Sequence, residues 1–112
     1  MSAKFEILKA SDGSHFYFHL KAANGEIIFS SQQYKAKASA QSGIDSVKAN
    51  AKIDAHFERK TSVGDQPYFV LIAANGEPLG RSQMYSSASA MEKGIESVQE
   101  NAPTAHVDDL TT

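Results

Sequence analysis

The sequence predicts an α+β protein in which two tandem β-β-β-α repeats form one shared antiparallel sheet, with two helices packed on one face and a pseudo-twofold axis between the repeats. Three observations support this prediction. The chain of 112 residues aligns with itself at an offset of 51 positions. Within each copy, apolar and polar residues alternate at the period of a half-buried strand, and a later segment carries apolar residues at helical spacing.

The repeat aligns residues 17–51 with residues 68–102 without a gap. Seventeen of the thirty-five aligned positions are identical, and in the first copy they are Tyr17, Phe18, Leu20, Ala22, Ala23, Asn24, Gly25, Glu26, Ser31, Gln32, Tyr34, Gly43, Ile44, Ser46, Val47, Asn50 and Ala51. Further upstream, Phe5-Glu6 matches Phe57-Glu58 at an offset of 52. One residue was therefore gained or lost in the first hairpin, where a loop tolerates the change.

Each copy is predicted to contain three short strands. The apolar residues of HFYFHLK alternate with polar ones, as in a strand with one buried face. The pair Asn24-Gly25 then predicts a two-residue type I′ hairpin turn, because both residues tolerate positive φ. In the third strand, Ile28 and its counterpart Leu79 are predicted to face the core. Pro78 places the second copy of that strand at an edge or a strand start, since proline cannot donate to a ladder.

A helix ends each copy. Its apolar stripe is formed by Ala40, Ile44, Val47 and Ala51 in the first copy and by Met91, Ile95, Val98 and Ala102 in the second. Gly43 and Gly94 lie in mid-helix, where a glycine costs about 1 kcal/mol relative to alanine. Close approach of the helix backbone to the sheet is the expected reason, because it leaves no room for a Cβ.

The ends of the helices are also predicted. The spacing Ser89-x-x-Glu92 matches a capping box at the start of the second helix. Asn50 and Asn101 stand where a residue in the left-handed conformation is expected to end each helix.

The two repeats are predicted to fold together. A unit of about 50 residues buries little apolar surface alone, so a shared sheet and helix layer is expected. Residues 1–112 are predicted to form a single domain, with residues 1–52 as the first repeat and residues 53–112 as the second. The stretch AHVD after the second helix echoes AHFE after the first, which predicts a closing C-terminal strand.

Both copies contain the ordered motifs Leu-x-Ala-x-Asn-Gly-Glu, Ser-x-x-Tyr and Gly-Ile-x-Ser-Val-x-x-Asn-Ala. With these motifs, nearly the whole chain resembles the YegP-like family of small bacterial proteins in its duplicated form. The resemblance implies a sheet built jointly by two repeats, or by two chains when only one repeat exists, and packed against helices. It implies no biochemical activity, because the family is uncharacterised.

Composition argues against several classes of function. The chain has no cysteine, which excludes disulfides, thiolate zinc sites and cysteine nucleophiles. Its net charge of −2 provides no general attraction to phosphate backbones. A signal-peptide core and an apolar run long enough to span a bilayer are both absent from the sequence, so a cytoplasmic location is expected.

No catalytic, cofactor-binding or metal-binding residue is predicted. His15 and His19 have the spacing of a metal-binding pair, but residues four apart in a strand are separated by roughly 13 Å, which is too far to share one ion. The sequence contains no nucleophile elbow and no phosphate-binding glycine pattern. We therefore expect a protein that is not an enzyme and that uses no cofactor.

The best candidate for function is the sheet face opposite the helices. Seven residues are predicted to form it, namely Tyr17, His19, Ile27, Phe29, Tyr68, Val70 and Ile72. This face is unusually apolar and aromatic for a solvent surface, and contiguous apolar patches often mark interaction sites. Two structural alternatives are coverage by the chain termini and contact between two copies of the chain.

A weaker candidate links the third strand to the helix in each copy and consists of Ser31, Gln32, Tyr34, Ser82, Gln83 and Tyr85. Two symmetric polar sites near helix N-termini are a place for an anion or a peptide carboxylate. The structural alternative is stronger: the serines cap a helix or turn the chain, and the tyrosines fasten the helices to the sheet.

The sequence therefore favours a non-enzymatic interaction or accessory module that binds an unidentified protein partner through the aromatic sheet face. The alternative is a binder of small ligands or of single-stranded nucleic acid that uses the same face. Nucleic acid is disfavoured because the chain has no dense Lys/Arg cluster. A membrane partner is not expected, and the expected state is a monomer, with a weak homodimer as the alternative.

Overall fold

The computed structural model describes residues 3–111, so Met1, Ser2 and Thr112 at the ends of the predicted domain lie outside it. The strands are β1 (Lys4–Lys9), β2 (Phe16–Lys21), β3 (Ile27–Ser31), β4 (Phe57–Thr61), β5 (Pro67–Ile72), β6 (Pro78–Arg81) and β7 (His106–Asp109). The helices are α1 (Lys37–Asn50) and α2 (Ala88–Asn101). Each helix is followed by a short 3-10 turn, at Asp54–His56 and at Ala102–Thr104.

All seven strands form one sheet in the order β4-β5-β6-β3-β2-β1-β7. The predicted α+β architecture of two β-β-β-α repeats is confirmed, and β7 is the predicted closing strand. Neighbouring strands are antiparallel except β1 and β7, which run parallel. The expected antiparallel sheet is thus corrected at one pair. The parallel strands are far apart in the chain, and α2 with its 3-10 turn brings the chain from β6 at the middle of the sheet to β7 at the edge beside β1.

The pseudo-twofold axis passes between β3 and β6, the inner strands of the two repeats. We call the junction of these two strands the seam. Two residue pairs, Ser30 with Arg81 and Ser31 with Gly80, join the strands there. The seam is the shortest pairing in the sheet, and it is where the two repeats meet.

The core lies between the sheet and the two helices. Its largest fully buried side chains are Phe5, Ile7, Phe18, Leu20, Phe29, Ile44, Val47, Phe69, Leu71, Ile95 and Val98. The two apolar stripes predicted for the helices are confirmed, because all eight of their residues are buried. Burial of these side chains is the main driving force that holds the helix layer on the sheet.

Each mid-helix glycine faces a tyrosine. Tyr34 stacks on Phe18 with 6.2 Å between ring centroids, and a Cβ added to Gly43 would lie 2.5 Å from the Tyr34 hydroxyl oxygen. Gly94 has the same relation to Tyr85 in the second repeat. The glycines thus make room for a tyrosine wedged between helix and sheet, whereas the sequence predicted direct contact of the helix backbone with the strands.

The repeated Asn-Gly turn differs from the predicted type. Gly25 N donates to Ala22 O at 2.9 Å, and Ala22 N donates to Glu26 O at 2.8 Å. Gly25 has a φ of +90°, but Asn24 is not among the residues with positive φ. The connection is therefore a three-residue loop with a type I turn and a left-handed glycine, rather than a type I′ turn. The second repeat forms the same turn with the same two distances.

Helix α2 begins at a different serine from the predicted one. Ser87 is the N-cap residue, and its hydroxyl oxygen accepts a hydrogen bond from Ala90 N at 3.1 Å. Ser89 lies inside the helix, so it forms no capping box with Glu92. The Glu92 carboxylate instead pairs with Arg59 of β4 at 2.6 Å, which joins the helix to the edge of the sheet.

The asparagines at the helix ends do not adopt the predicted left-handed conformation. Asn101 has a φ of −98°, in the right-handed region, and Asn50 lies within α1. Their side-chain amides donate to the carbonyl oxygens of Ser46 and Ser97, each four residues earlier, at 2.8 Å. The identity of these asparagines in the two repeats is therefore explained by side-chain hydrogen bonds.

Asp109 joins β7 to α1 through an ion pair, and we predict that its carboxyl group titrates at unusually low pH. Lys37 Nζ donates to the Asp109 carboxylate at 2.8 Å, and this bond, together with those from Thr111, lowers the pKa of Asp109 to about 2. Because the folded-state pKa lies below the ordinary 3.8, the stabilisation is complete above that value and is lost as the pH falls through about 2. We expect carboxyl NMR to show a midpoint near pH 2 that rises in Lys37→Gln. A wild-type midpoint at the ordinary value would contradict the contact.

Candidate binding face

The outer face is the sheet surface opposite α1 and α2. Along β2, the buried core residues Phe18 and Leu20 alternate with Tyr17, His19 and Lys21, which are half-buried and lie outside the core cluster. This alternation follows from the pleat of the strand, which sends successive side chains to opposite faces.

Strand β5 repeats the pattern, with Tyr68, Val70 and Ile72 on the outer face. Ile27 at the start of β3 pairs with Lys21 and is 39% exposed. The structure thus places six of the seven predicted face residues on one surface.

Phe29 is the exception, and its predicted place on the outer face is wrong. Its side chain is 0% exposed and stacks on Phe69 in the core, with 6.4 Å between ring centroids. The cause is a β-bulge: Leu20 pairs with Phe29 and the next residue of β2 pairs with Ile27, so Ile28 is an extra residue. The bulge lets both Ile28 and Phe29 be buried.

One row of residues crosses the outer face through all seven strands. In sheet order from β7 to β4 it contains Asp108, Glu6, His19, Ser30, Arg81, Val70 and Glu58. The row is pseudo-symmetric about the seam in its glutamates, because Glu6 on β1 corresponds to Glu58 on β4. Its centre is not symmetric, because Ser30 in the first repeat corresponds to Arg81 in the second.

A cleft of about 430 Å³ opens on the outer face over the seam. It is lined by Ser30, Ser31, Gln32, Val70, Pro78, Gly80 and Arg81. Val70 and Pro78 give it apolar walls, whereas the serine, glutamine and arginine side chains offer hydrogen-bonding groups. A volume of this size falls in the range of small-ligand pockets, and it also accommodates side chains of a partner.

Arg81 has no ionic partner in the part of the chain that the structure describes. Among residues 3–111, its exposed guanidinium forms neither an ion pair nor a hydrogen bond. The four central strands β2, β3, β5 and β6 contain no aspartate or glutamate. The middle of the outer face is therefore apolar and positively charged, although the whole chain has a net charge of −2.

The other central cation is already neutralised. Lys21 Nζ lies 3.0 Å from the buried carboxylate of Glu6 on β1, and Lys4 lies 3.5 Å from it. Burial favours the protonated form of Glu6, but the hydrogen bonds and charges of these two lysines outweigh burial and lower the pKa of Glu6. Burial lowers the pKa of His19, which lies beside this cluster, despite the neighbouring carboxylate.

The weaker candidate residues are used by the fold. The Ser31 hydroxyl oxygen accepts a hydrogen bond from Phe18 N at 2.9 Å, and the hydroxyl donates to Gln32 O at 2.7 Å. Ser82 makes the corresponding two bonds at 3.0 and 2.7 Å in the second repeat. These serines join the end of one strand to its neighbour, whereas the structural alternative expected them to cap a helix or turn the chain. The N-cap residues of the helices are Ala36 and Ser87.

The two tyrosines of this motif are half-buried, and burial raises the pKa of both Tyr34 and Tyr85. Within the described chain, the buried hydroxyl of Tyr85 has no hydrogen-bond partner. A second cavity of about 200 Å³ lies beside Tyr34, between α1 and the second Asn-Gly turn. Gln32 and Gln83 are exposed just beyond the ends of β3 and β6.

His15 and His19 have separate partners. His15 Nδ1 pairs with Asp12 at 2.8 Å in the first turn, whereas His19 on β2 faces Glu6 on β1. Residues 3–111 contain no group of three or more histidine, aspartate or glutamate side chains placed to hold a metal ion. Over the same residues, neither helix is long and apolar enough to cross a membrane.

Sequence reasoning missed Arg81, Ser30 and Pro78, which line the cleft. The signal in the sequence is a difference between the copies, since Ser30 corresponds to Arg81 and Phe29 to Gly80. The two repeats thus differ in chemistry where they meet.

Comparison with known proteins identifies the repeat. The model of the domain of unknown function DUF1508 matches residues 10–58 and again residues 62–109. A UPF0339 protein of Acinetobacter baylyi is 53% identical over 111 residues, which cover 99% of each chain. The UPF0339 protein YegP of Yersinia pestis is 46% identical over 107 residues, covering 96% of this chain and 95% of that protein.

Two solution NMR structures have the same fold. The UPF0339 protein of Shewanella oneidensis superposes with a TM-score of 0.92 at 46% identity, covering 99% of this chain and 93% of that one. The Escherichia coli protein of unknown function yegP has a TM-score of 0.92 at 44% identity, with coverage of 99% and 95%. Both the sequence and the fold match over nearly the full length. This chain therefore belongs to the DUF1508 (UPF0339) family, whose function is uncharacterised, and carries two copies of its domain.

Proposed function

We propose that this protein is a non-enzymatic interaction module that binds a protein partner through the outer face of its sheet. The observation that supports the proposal is that this face carries apolar and aromatic side chains around a cleft and lies opposite both helices. An uncovered patch of this kind on a small protein is typical of an interaction site. Tyrosine suits such a surface, since its ring packs against apolar groups and its hydroxyl bonds to polar ones.

The described part of the chain leaves this face outside the core. The core cluster and the hydrophobic side chains packed against it include none of Tyr17, Ile27, Tyr68, Val70 and Ile72. Within residues 3–111, the last strand, β7, lies at the edge of the sheet beside β1 rather than across its outer face. Coverage by the described part of the termini is therefore not the explanation for the apolar residues.

Photo-crosslinking tests the proposal. Tyr68 is replaced by p-benzoylphenylalanine, and the protein is irradiated in a bacterial lysate, at low and high salt. The matched control carries the same group at Glu96, an exposed position of α2 on the opposite side of the molecule. We expect a discrete protein adduct from position 68 that persists at high salt, because apolar contacts are not screened.

A second change identifies the contact as specific. Adding Ile72→Asp should reduce the adduct by about tenfold or more, because it buries an unpaired charge in the interface. Equal adducts from positions 68 and 96, or adducts removed only by nuclease, would contradict the proposal. The nuclease result would favour the nucleic-acid alternative.

A further inference from the structure

We propose that the partner presents a carboxylate to Arg81 and places an apolar side chain in the cleft beside it. This inference rests on the proposed function, because it names the chemistry of the partner at the same face. The juxtaposition that supports it is an unpaired guanidinium next to the apolar walls formed by Val70 and Pro78, at the centre of the outer face.

The position of Arg81 makes it available to a partner. It pairs with Val70 on one side and with Ser30 on the other, so it stands at the middle of the row that crosses the sheet. The cations on either side are committed: Lys21 lies 3.0 Å from Glu6, and Lys60 lies 3.7 Å from Glu58. Arginine is also well suited to the task, because its planar fork can bind both oxygens of a carboxylate.

The two repeats contribute different residues beside the cleft. Gly80 corresponds to Phe29, and its backbone lines the cleft on the second repeat. A Cβ at this position would overlap the backbone oxygen of Ser30 and lie 2.8 Å from the ring of Phe29, which fills the core below the seam. Gly80 thus leaves space for the ring of Phe29, and the core side of the sheet is close-packed there. On the outer side, Pro78 and Val70 leave space between them.

The distribution of charge selects an anionic group at this position. The acidic residues of the crossing row lie on β1, β7 and β4, and the four central strands carry none. An approaching carboxylate thus meets one uncompensated positive charge at the centre and like charges only toward the edges. A single-stranded nucleic acid is a poorer match, because it needs a track of cations along its backbone.

Peptide titration followed by two-dimensional amide NMR tests the inference. The probes are the blocked tripeptides acetyl-Leu-Asp-Leu-amide and acetyl-Leu-Asn-Leu-amide, which have nearly the same shape and differ in charge. We expect the aspartate peptide to shift the amide signals of Ser30, Val70 and Arg81, and to bind roughly fivefold more tightly than the asparagine peptide. Arg81→Gln should equalise the two affinities. Lys93→Gln, which removes an exposed cation from α2, should leave their ratio unchanged.

Several results would overturn the carboxylate contact. Equal affinities for the two peptides at the cleft would remove the role of Arg81 while leaving the outer face as a protein-binding surface. Absence of binding by both peptides, or signals that shift only away from the cleft, would reject the inference whatever the crosslinking at position 68 shows. Tighter binding of an oligothymidylate at the same signals would also reject it and would assign the face to nucleic acid.

Discussion

Replacing Phe29 by alanine is expected to destabilise the protein by about 3–5 kcal/mol, because it removes a fully buried aromatic ring and leaves a cavity where the two repeats meet. The ring is 0% exposed, stacks on Phe69 and packs over the backbone of Gly80. Urea denaturation monitored by circular dichroism would measure the loss as a lower midpoint.

The matched control is Ile27→Ala, two residues earlier on the same strand. Ile27 is 39% exposed on the outer face, so its truncation should cost about 1 kcal/mol or less. Similar losses for the two variants would mean that Phe29 lies outside the core. Because the sequence alternation alone places both residues on the outer face, the pair of variants separates the bulged strand from a regular one.

Replacing Gly94 by leucine is expected to destabilise the protein by about 3 kcal/mol through overpacking. A Cβ at this position already overlaps the hydroxyl group and ring of Tyr85, which is held between α2 and Phe69. The gain in helix propensity, about 1 kcal/mol relative to glycine, is too small to offset the clash. Thermal or urea unfolding would measure the change.

A double-mutant cycle isolates the contact from other effects of leucine. In a Tyr85→Ala background the side chain at position 94 has space, so Gly94→Leu should cost at least about 1 kcal/mol less than in the wild type. Lys93→Leu, at the exposed neighbouring position of α2, should change stability by about 0.5 kcal/mol or less. If Gly94→Leu were equally destabilising with and without Tyr85, the packing of Tyr85 between α2 and the sheet would not be the reason for the glycine.

The architecture could be predicted from the sequence because the two copies carry the same pattern of apolar residues. Ile44 and Ile95, or Phe18 and Phe69, occupy the same place in two copies, so each copy supports the periodicity of the other. Two marginal units also have to share a core, which leaves few arrangements of three strands and a helix. The fold class, the duplication and the helix stripes therefore follow from local pattern.

The wrong predictions, of the side that Phe29 faces and of the turn type, concern places where one residue changes the geometry of its neighbours. The bulge at Ile28 reverses the direction of Phe29, and nothing in the alternation of apolar residues shows that an extra residue is present. The turn at Asn24 and Gly25 has a three-residue loop, which also changes the register of the strands that it joins.

Only part of the candidate site could be predicted, because the remaining part depends on how the two repeats pack together. Its aromatic members Tyr17 and Tyr68 are visible in the strand alternation, since they are identical in the two repeats. Arg81 lies at the centre of the face only because β6 pairs with β3, and a contact between repeats is not encoded in the pattern of either one. Predicting it required the strand order of the whole sheet.

The parallel pairing of β1 with β7 has a consequence for the synthesis of the protein. Lys4 pairs with His106, 102 positions later in the chain. At typical rates of translation, the ribosome takes roughly 5–20 s to add that many residues. During this interval the nascent chain can form the β1-β2 hairpin, but the outer edge of β1 keeps its backbone hydrogen-bonding groups unpaired. Such an edge is open to pairing with other nascent chains. The first strand to leave the ribosome is thus among the last to be enclosed, and this edge is where a chaperone would give the most protection.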